Sequence, residues 1–152
     1  DKNKLNYLWS DISYVPQNSF LLDDTIVSNI CFGVHKKQIN KSRLKTALNI
    51  SQLDDFINNL PNKIDTLVGE KGIQISGGQR QRICIARAIY QNRKFIFFDE
   101  AMSALDEITE NKIMNSLMQL KGKTILLITH RLDTISKFDN VYILKNKKIL
   151  KK

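Results

Sequence analysis

The stretch ISGGQRQR, Ile75 to Arg82, decides how this chain is read. Ser76 is a favoured helix N-cap, and Gln79, three residues on, can reach back as the second half of a capping box, so a helix is expected to open at Gly77. Gly77 and Gly78 clear side chains from its first turn. Backbone N–H groups and the positive end of the helix dipole then lie open to an anion such as a phosphate. The plainer alternative is a glycine turn before a surface helix. Ile83, Ala86, Ile89 and Tyr90 carry the helical stripe to about Tyr90.

Downstream stands FIFFDEAMSALD, Phe95 to Asp106. Phe95 to Phe98 is a continuous apolar run of strand length, the pattern of a central parallel strand buried on both faces. It ends in the adjacent carboxylates Asp99 and Glu100. The carboxyl end of a buried parallel strand is where open α/β sheets bind ligands.

Together these stretches resemble the nucleotide-binding domain of an ABC ATPase of the exporter type. Ser76-Gly77-Gly78-Gln79 matches the signature motif, the strand ending in Asp99-Glu100 matches Walker B, and Ser103-Ala104-Leu105-Asp106 matches the D-loop. Tyr14-Val15-Pro16-Gln17 resembles the Q-loop, Ile128-Thr129-His130-Arg131 the switch-histidine region, and Thr66 to Gly72 the segment that exporters carry before the signature. The motifs stand in the family's order over nearly the whole chain. The resemblance implies an α/β fold, a P-loop NTPase (RecA-like) parallel-sheet core with an inserted helical subdomain. Residues 20–92 would form that subdomain, signature included, and residues 93–152 the C-terminal part of the core.

The chemistry agrees with the resemblance. Phosphoryl transfer needs a metal holder, a water activator and donors around the terminal phosphate. Asp99 is a hard carboxylate suited to Mg2+, and Glu100 follows as the group that orients or deprotonates the attacking water. His130, ending the apolar strand Thr124 to Thr129, is expected to bond the terminal phosphate and Glu100, and Gln17 to touch both Mg2+ and the water. The family further implies a head-to-tail dimer in which ATP on one subunit's P-loop is covered by Ser76, Gly77, Gly78 and Gln79 of the other, with Asp106 beside it. The implied partners are a second nucleotide-binding domain and the transmembrane domain of an exporter. The implied location is the cytoplasmic face of a membrane, and the sequence leaves the cargo open.

One part is missing. A P-loop reads G-x-x-x-x-G-K-[ST] and feeds a helix, and Gly122-Lys123-Thr124 is the only Gly-Lys-Thr in the chain. Leu117 stands where the first glycine belongs, and Thr124 opens a strand, so Gly122 reads as a turn ending the preceding helix. In the family the P-loop precedes the Q-loop, yet only 16 residues precede Gln17. The expectation is an N-terminally incomplete domain that binds ATP poorly alone, with sheet edges open to association.

Composition adds limits. The 152 residues are 42% hydrophobic, and no apolar run approaches the roughly twenty residues of a membrane helix. Cys31 and Cys84 are isolated, without metal spacing or a disulfide framework; Cys84 reads as a small buried side chain. The net charge of +9 comes from scattered lysines and a cluster from Lys145 to Lys152 that lacks interleaved aromatics, so no specific nucleic acid is expected. SMC-type ATPases on DNA place a long coiled coil between Q-loop and signature, and no sustained heptads occur there. A non-catalytic fragment lending its signature surface to a longer partner stays open.

The remaining elements follow from pattern. A short helix is expected at Thr25 to Ile30 and another at Lys41 to Asn49 on Leu44 and Leu48. Ser51 with Asp54 offers a second capping box for a helix from Leu53 to Leu60, stopped by Pro61. A helix near Glu107 to Leu120 would bury Ile113, Met114, Leu117 and Met118, followed by strand Thr124 to Thr129 and a short helix near Leu132 to Ser136. Strands Val141 to Leu144 and Lys148 to Leu150 would pair about Asn146, which tolerates a left-handed conformation.

Overall fold

The computed structural model describes residues 9–70, 72–131 and 134–151. Strand β1 (Ile12–Val15) leads to a two-residue strand β2 (Asp24–Thr25), then helices α1 (Ile26–Ile30), α2 (Lys41–Ile50) and α3 (Asp54–Asn58). Strand β3 (Leu67–Val68) precedes the long helix α4 (Gly77–Tyr90), strand β4 (Phe95–Asp99), helix α5 (Glu107–Met118), strand β5 (Thr124–Ile128) and a hairpin of β6 (Tyr142–Lys145) with β7 (Lys148–Lys151). The fold is mixed α/β, and its principal sheet is parallel in the order β1-β4-β5.

Helix α4 organises the core. It opens at Gly77 under the capping box foreseen from Ser76 and Gln79, and it ends at Tyr90. Past its first turn it is buried nearly all round, on Ile83, Cys84, Ile85, Ala86, Ala88 and Ile89, as a helix packed between layers must be. One core unites it with Ile96 and Phe98 of β4, Val15 of β1, Ile26 and Ile30 of α1, and Ile113, Met114 and Leu117 of α5. Full burial of an aliphatic or aromatic side chain contributes about 1.5–3 kcal/mol, so this cluster carries most of the fold.

Several expectations need correction. Strand β4 was expected to be buried on both faces, but only Ile96 and Phe98 face the core. The other face is open among the described residues, with Phe95, Tyr14, Leu126 and Ile128 exposed, Leu126 at 53%. An apolar run shows that a strand suits two-sided burial and does not report whether a second layer covers it. Ser51 does not cap forward onto α3. Its hydroxyl is buried and turns back to donate to the carbonyls of Ala47 (2.7 Å) and Leu48 (3.1 Å), and α3 starts after Leu53 with no side-chain cap. That helix is shorter than expected and ends at Asn58, ahead of Pro61. Helix α5 ends at Met118, whose side chain is exposed rather than core.

Other boundaries shift slightly. Strand β5 ends at Ile128, and a 3₁₀ turn at Ile135–Lys137 stands where a short helix was expected, with Leu132 and Asp133 outside the described residues. The last hairpin turns on Asn146 as expected, but Lys147 shares its left-handed backbone (φ 51° and 61°), as a two-residue type I′ turn requires. Gly122 has φ 68°, in keeping with a turn after α5.

Candidate functional site

The parallel register gathers the loops that carry polar side chains. Val15 pairs with Phe98, and Asp99 with Ile128, so the residues just past β1, β4 and β5 meet at one carboxyl edge of the sheet, the usual ligand edge of an open α/β sheet. There Gln17 Nε2 donates to Glu100 Oε2 at 2.8 Å, and His130 Nε2 lies 2.7 Å from Glu100 Oε1. Glu100 is clasped from both sides. Its backbone is left-handed, with φ 48°, a conformation that costs a non-glycine residue about 1–2 kcal/mol. The turn is fixed by the Glu100 N–H donating to Ile128 O and by the Glu100 carbonyl accepting from Ser103 N. Strain of this kind is concentrated at functional sites, where surrounding bonds over-determine it. The Glu100 side chain is 27% exposed and that of His130 84%, so the pair opens to solvent across a cleft of about 180 Å³.

Asp99 stands one residue back. Its Oδ2 accepts a 2.8 Å hydrogen bond from the Tyr14 hydroxyl. That bond raises the Tyr14 phenol above its ordinary pKa, chiefly because the proton is shared with the carboxylate. Tyr14 pairs with Phe97 in register and their rings are 5.6 Å apart, so Tyr14 shares the face on which Asp99 lies two residues on. Nothing in the sequence around Tyr14 marks this role. Strand alternation puts it on the Asp99 face only once the β1–β4 register is known.

The glycine-flanked helix tip faces a different cleft. Ser76 Oγ accepts from Gln79 N at 3.1 Å, and Gln79 Oε1 accepts from Ser76 N at 2.8 Å. Ser76, Gly77, Gly78, Gln79, Ala104 and Asp106 border an open cleft of about 400 Å³. The two glycines are not equivalent. A Cβ on Gly77 would meet only Ala104 Cβ, at an ordinary 3.7 Å, whereas on Gly78 it would press to 3.0 Å of the Ala104 carbonyl. The loop is also tied to α4 by Gln81, a buried side chain whose Oε1 accepts from Ala104 N at 3.1 Å. Sequence reading missed Gln81 because nothing local marks its partner.

Asp106 is the N-cap of α5, accepting from Thr109 N at 2.9 Å. That backbone bond, then the Thr109 side chain, with Arg82 a lesser influence, hold its carboxyl below the ordinary pKa. A depressed folded pKa favours the ionised form in the native state, so the contribution is present above the unfolded value near 3.9 and is lost as pH falls through the lower folded one. Asp106→Ala should therefore lower the melting temperature at pH 7. The gap to the parent chain should narrow as the pH falls through that window; a constant gap from pH 7 to pH 3 would contradict this origin.

Gln17, Asp99, Glu100 and His130 thus share the sheet edge, and Ser76, Gly77, Gly78, Gln79 and Asp106 share the second cleft. Within one chain the two sets do not meet. The loop from Glu100 to Asp106 joins them, with one end in each cleft.

Comparison with known proteins fits this geometry. The sequence profile of the ABC transporter family matches residues 2–103. An ATP-dependent lipid A-core flippase of Saccharophagus degradans is 43% identical over 148 residues, covering 97% of this chain and 25% of the relative. The human ATP-binding cassette sub-family B member 5 is 41% identical over 152 residues, covering 98% of this chain and 12% of that protein. The solved structure of a bacterial Atm1-family ABC exporter with ATP bound superposes with a TM-score of 0.86 at 36% identity, covering 95% of this chain and 25% of that one. The chain spans about a quarter of the length of the flippase and of that exporter. By motif order, by fold and by these likenesses, the chain belongs to the ABC transporter family, as an ATP-binding-domain sequence of the exporter type.

Proposed function

We propose that this chain forms part of an ABC exporter's ATPase and acts in head-to-tail pairs, each copy offering a hydrolytic edge to its own nucleotide and a signature tip to its partner's. The observation that carries this reading is the placement of Glu100 and His130 on one cleft and the signature residues on another, joined by one loop that Gln81 ties to α4. A self-contained site would bring both sets to one point. A two-fold pair brings them together twice. Residues 20–92 act as the helical subdomain and residues 93–152 as the C-terminal part of the sheet core.

At the sheet edge Glu100 orients the attacking water and takes its proton. Gln17 and His130 hold the two carboxylate oxygens of Glu100, which fixes its aim before nucleotide arrives. Asp99, steadied by Tyr14, is the residue to hold magnesium, and Gln17, bonded to Glu100 one residue on, is the second. The donor set fits that ion. Asp99 and Glu100 are adjacent hard carboxylates at the sheet edge, and magnesium favours one or two carboxylates plus water and substrate phosphate. When bound, it would neutralise phosphate charge. On the opposing copy, Ser76 to Gln79 present backbone N–H groups to the terminal phosphate. No helix among the described residues is long and apolar enough to cross a membrane. Attachment to the cytoplasmic face comes through the transmembrane partner, whose access state hydrolysis switches.

The test is a chimera of the S. degradans flippase in which this chain replaces the matched 148 residues. It should hydrolyse ATP only when a divalent cation is present. A chimera that melts cooperatively yet turns over no ATP would contradict the reading.

A further inference from the structure

His130 sits on a loop with its side chain 84% exposed, yet its imidazole is held 2.7 Å from Glu100. What fixes that loop is the next residue. The Arg131 N–H donates to Thr129 Oγ1 at 3.0 Å, and its carbonyl accepts from Thr134 Oγ1 at 3.2 Å. Its guanidinium crosses to α5, where Nη1 donates to Glu110 Oε2 and Nη2 donates to the Leu105 carbonyl at 3.4 Å. Glu110 is 4% exposed, and its own N–H bonds the Asp106 carbonyl at the start of α5.

We propose that the Arg131–Glu110 pair is a positioning device that locks His130 onto Glu100 and ties that lock to the Leu105–Asp106 end of the loop bordering the signature cleft. An ion pair with a buried partner contributes little net stability over apolar packing. What it supplies is direction. The planar guanidinium grips a carboxylate and a carbonyl through donors in a rigid fork, a fixed direction that an ammonium on a flexible stem does not hold. A shift of Leu105 against the signature tip would thus be felt at His130, so the two clefts of one copy report on each other.

This inference rests on the catalytic reading of Glu100 and His130, and the experiment separates the two. In the chimera, Arg131→Lys keeps the charge and loses the fork. It should lower ATP turnover roughly tenfold with little change in KM, while in a His130→Ala background the same change should have almost no further effect. Glu110→Gln should show the same dependence on His130 and serves if Arg131→Lys folds poorly, as judged by melting temperature. Equal losses with and without His130 would mark the pair as merely structural and overturn the proposal alone. Full turnover in His130→Ala itself would overturn the catalytic reading, and this proposal with it.

Discussion

Glu100→Gln in the chimera is expected to lower metal-dependent ATP turnover by roughly 10²–10⁴-fold, the usual worth of a positioned general base. The substitution is close to isosteric. An amide at this position still accepts from Gln17 through its oxygen and can donate to His130 through its nitrogen, so the clasp around residue 100 survives while the proton acceptor is lost. The left-handed backbone of Glu100 is held by main-chain bonds to Ile128 and Ser103, which the change does not touch. KM for ATP should therefore stay close to that of the parent, and the ATP-bound pair should accumulate. Turnover within twofold of the parent would remove Glu100 from the mechanism.

Gly77→Asp is expected to abolish turnover for a different reason. The added Cβ meets only the Ala104 methyl at 3.7 Å, and a carboxylate in the first turn of a helix favours the dipole. The fold and the α4 cap should stand. What changes is charge at the helix tip: under the proposed pairing a carboxylate would sit where the partner's terminal phosphate arrives, replacing attraction by repulsion. The melting temperature of the variant should match or exceed that of the parent while turnover falls by roughly the same 10²–10⁴ range. The same change at Gly78 is a poorer probe, because its Cβ crowds the Ala104 carbonyl at 3.0 Å and disturbs the loop as well.

How much of this could be read from the sequence depended on whether the signal was local. Helix α4 was legible at both ends because Ser76 and Gln79 mark its start and its apolar period agrees. The gathering of Gln17, Asp99-Glu100 and His130 at one sheet edge was legible as well, since these motifs end or follow strands whose shared direction brings their ends together. Ser51 misled because a hydroxyl between two helices can bond backward or forward, and burial decided for backward. The open face of β4 misled because an apolar run is silent on whether a second layer stands over it. The contacts of Tyr14 with Asp99, Gln81 with Ala104 and Arg131 with Glu110 link residues distant in sequence that share no spacing rule. They follow from tertiary packing alone.

The two lesions together test the central claim, that each nucleotide is gripped by residues of two copies. Chimeras carrying Gly77→Asp and chimeras carrying Glu100→Gln are each expected to be inactive as homodimers. Mixed in one dimer, they leave one composite site with an intact glutamate on one copy and an intact signature on the other. Turnover of the purified mixed dimer should then recover to roughly tenfold or more above either homodimer, about 1.4 kcal/mol of barrier. If the signature of each copy served its own nucleotide, both sites of the mixed dimer would be damaged, and turnover no higher than that of the homodimers would contradict the account.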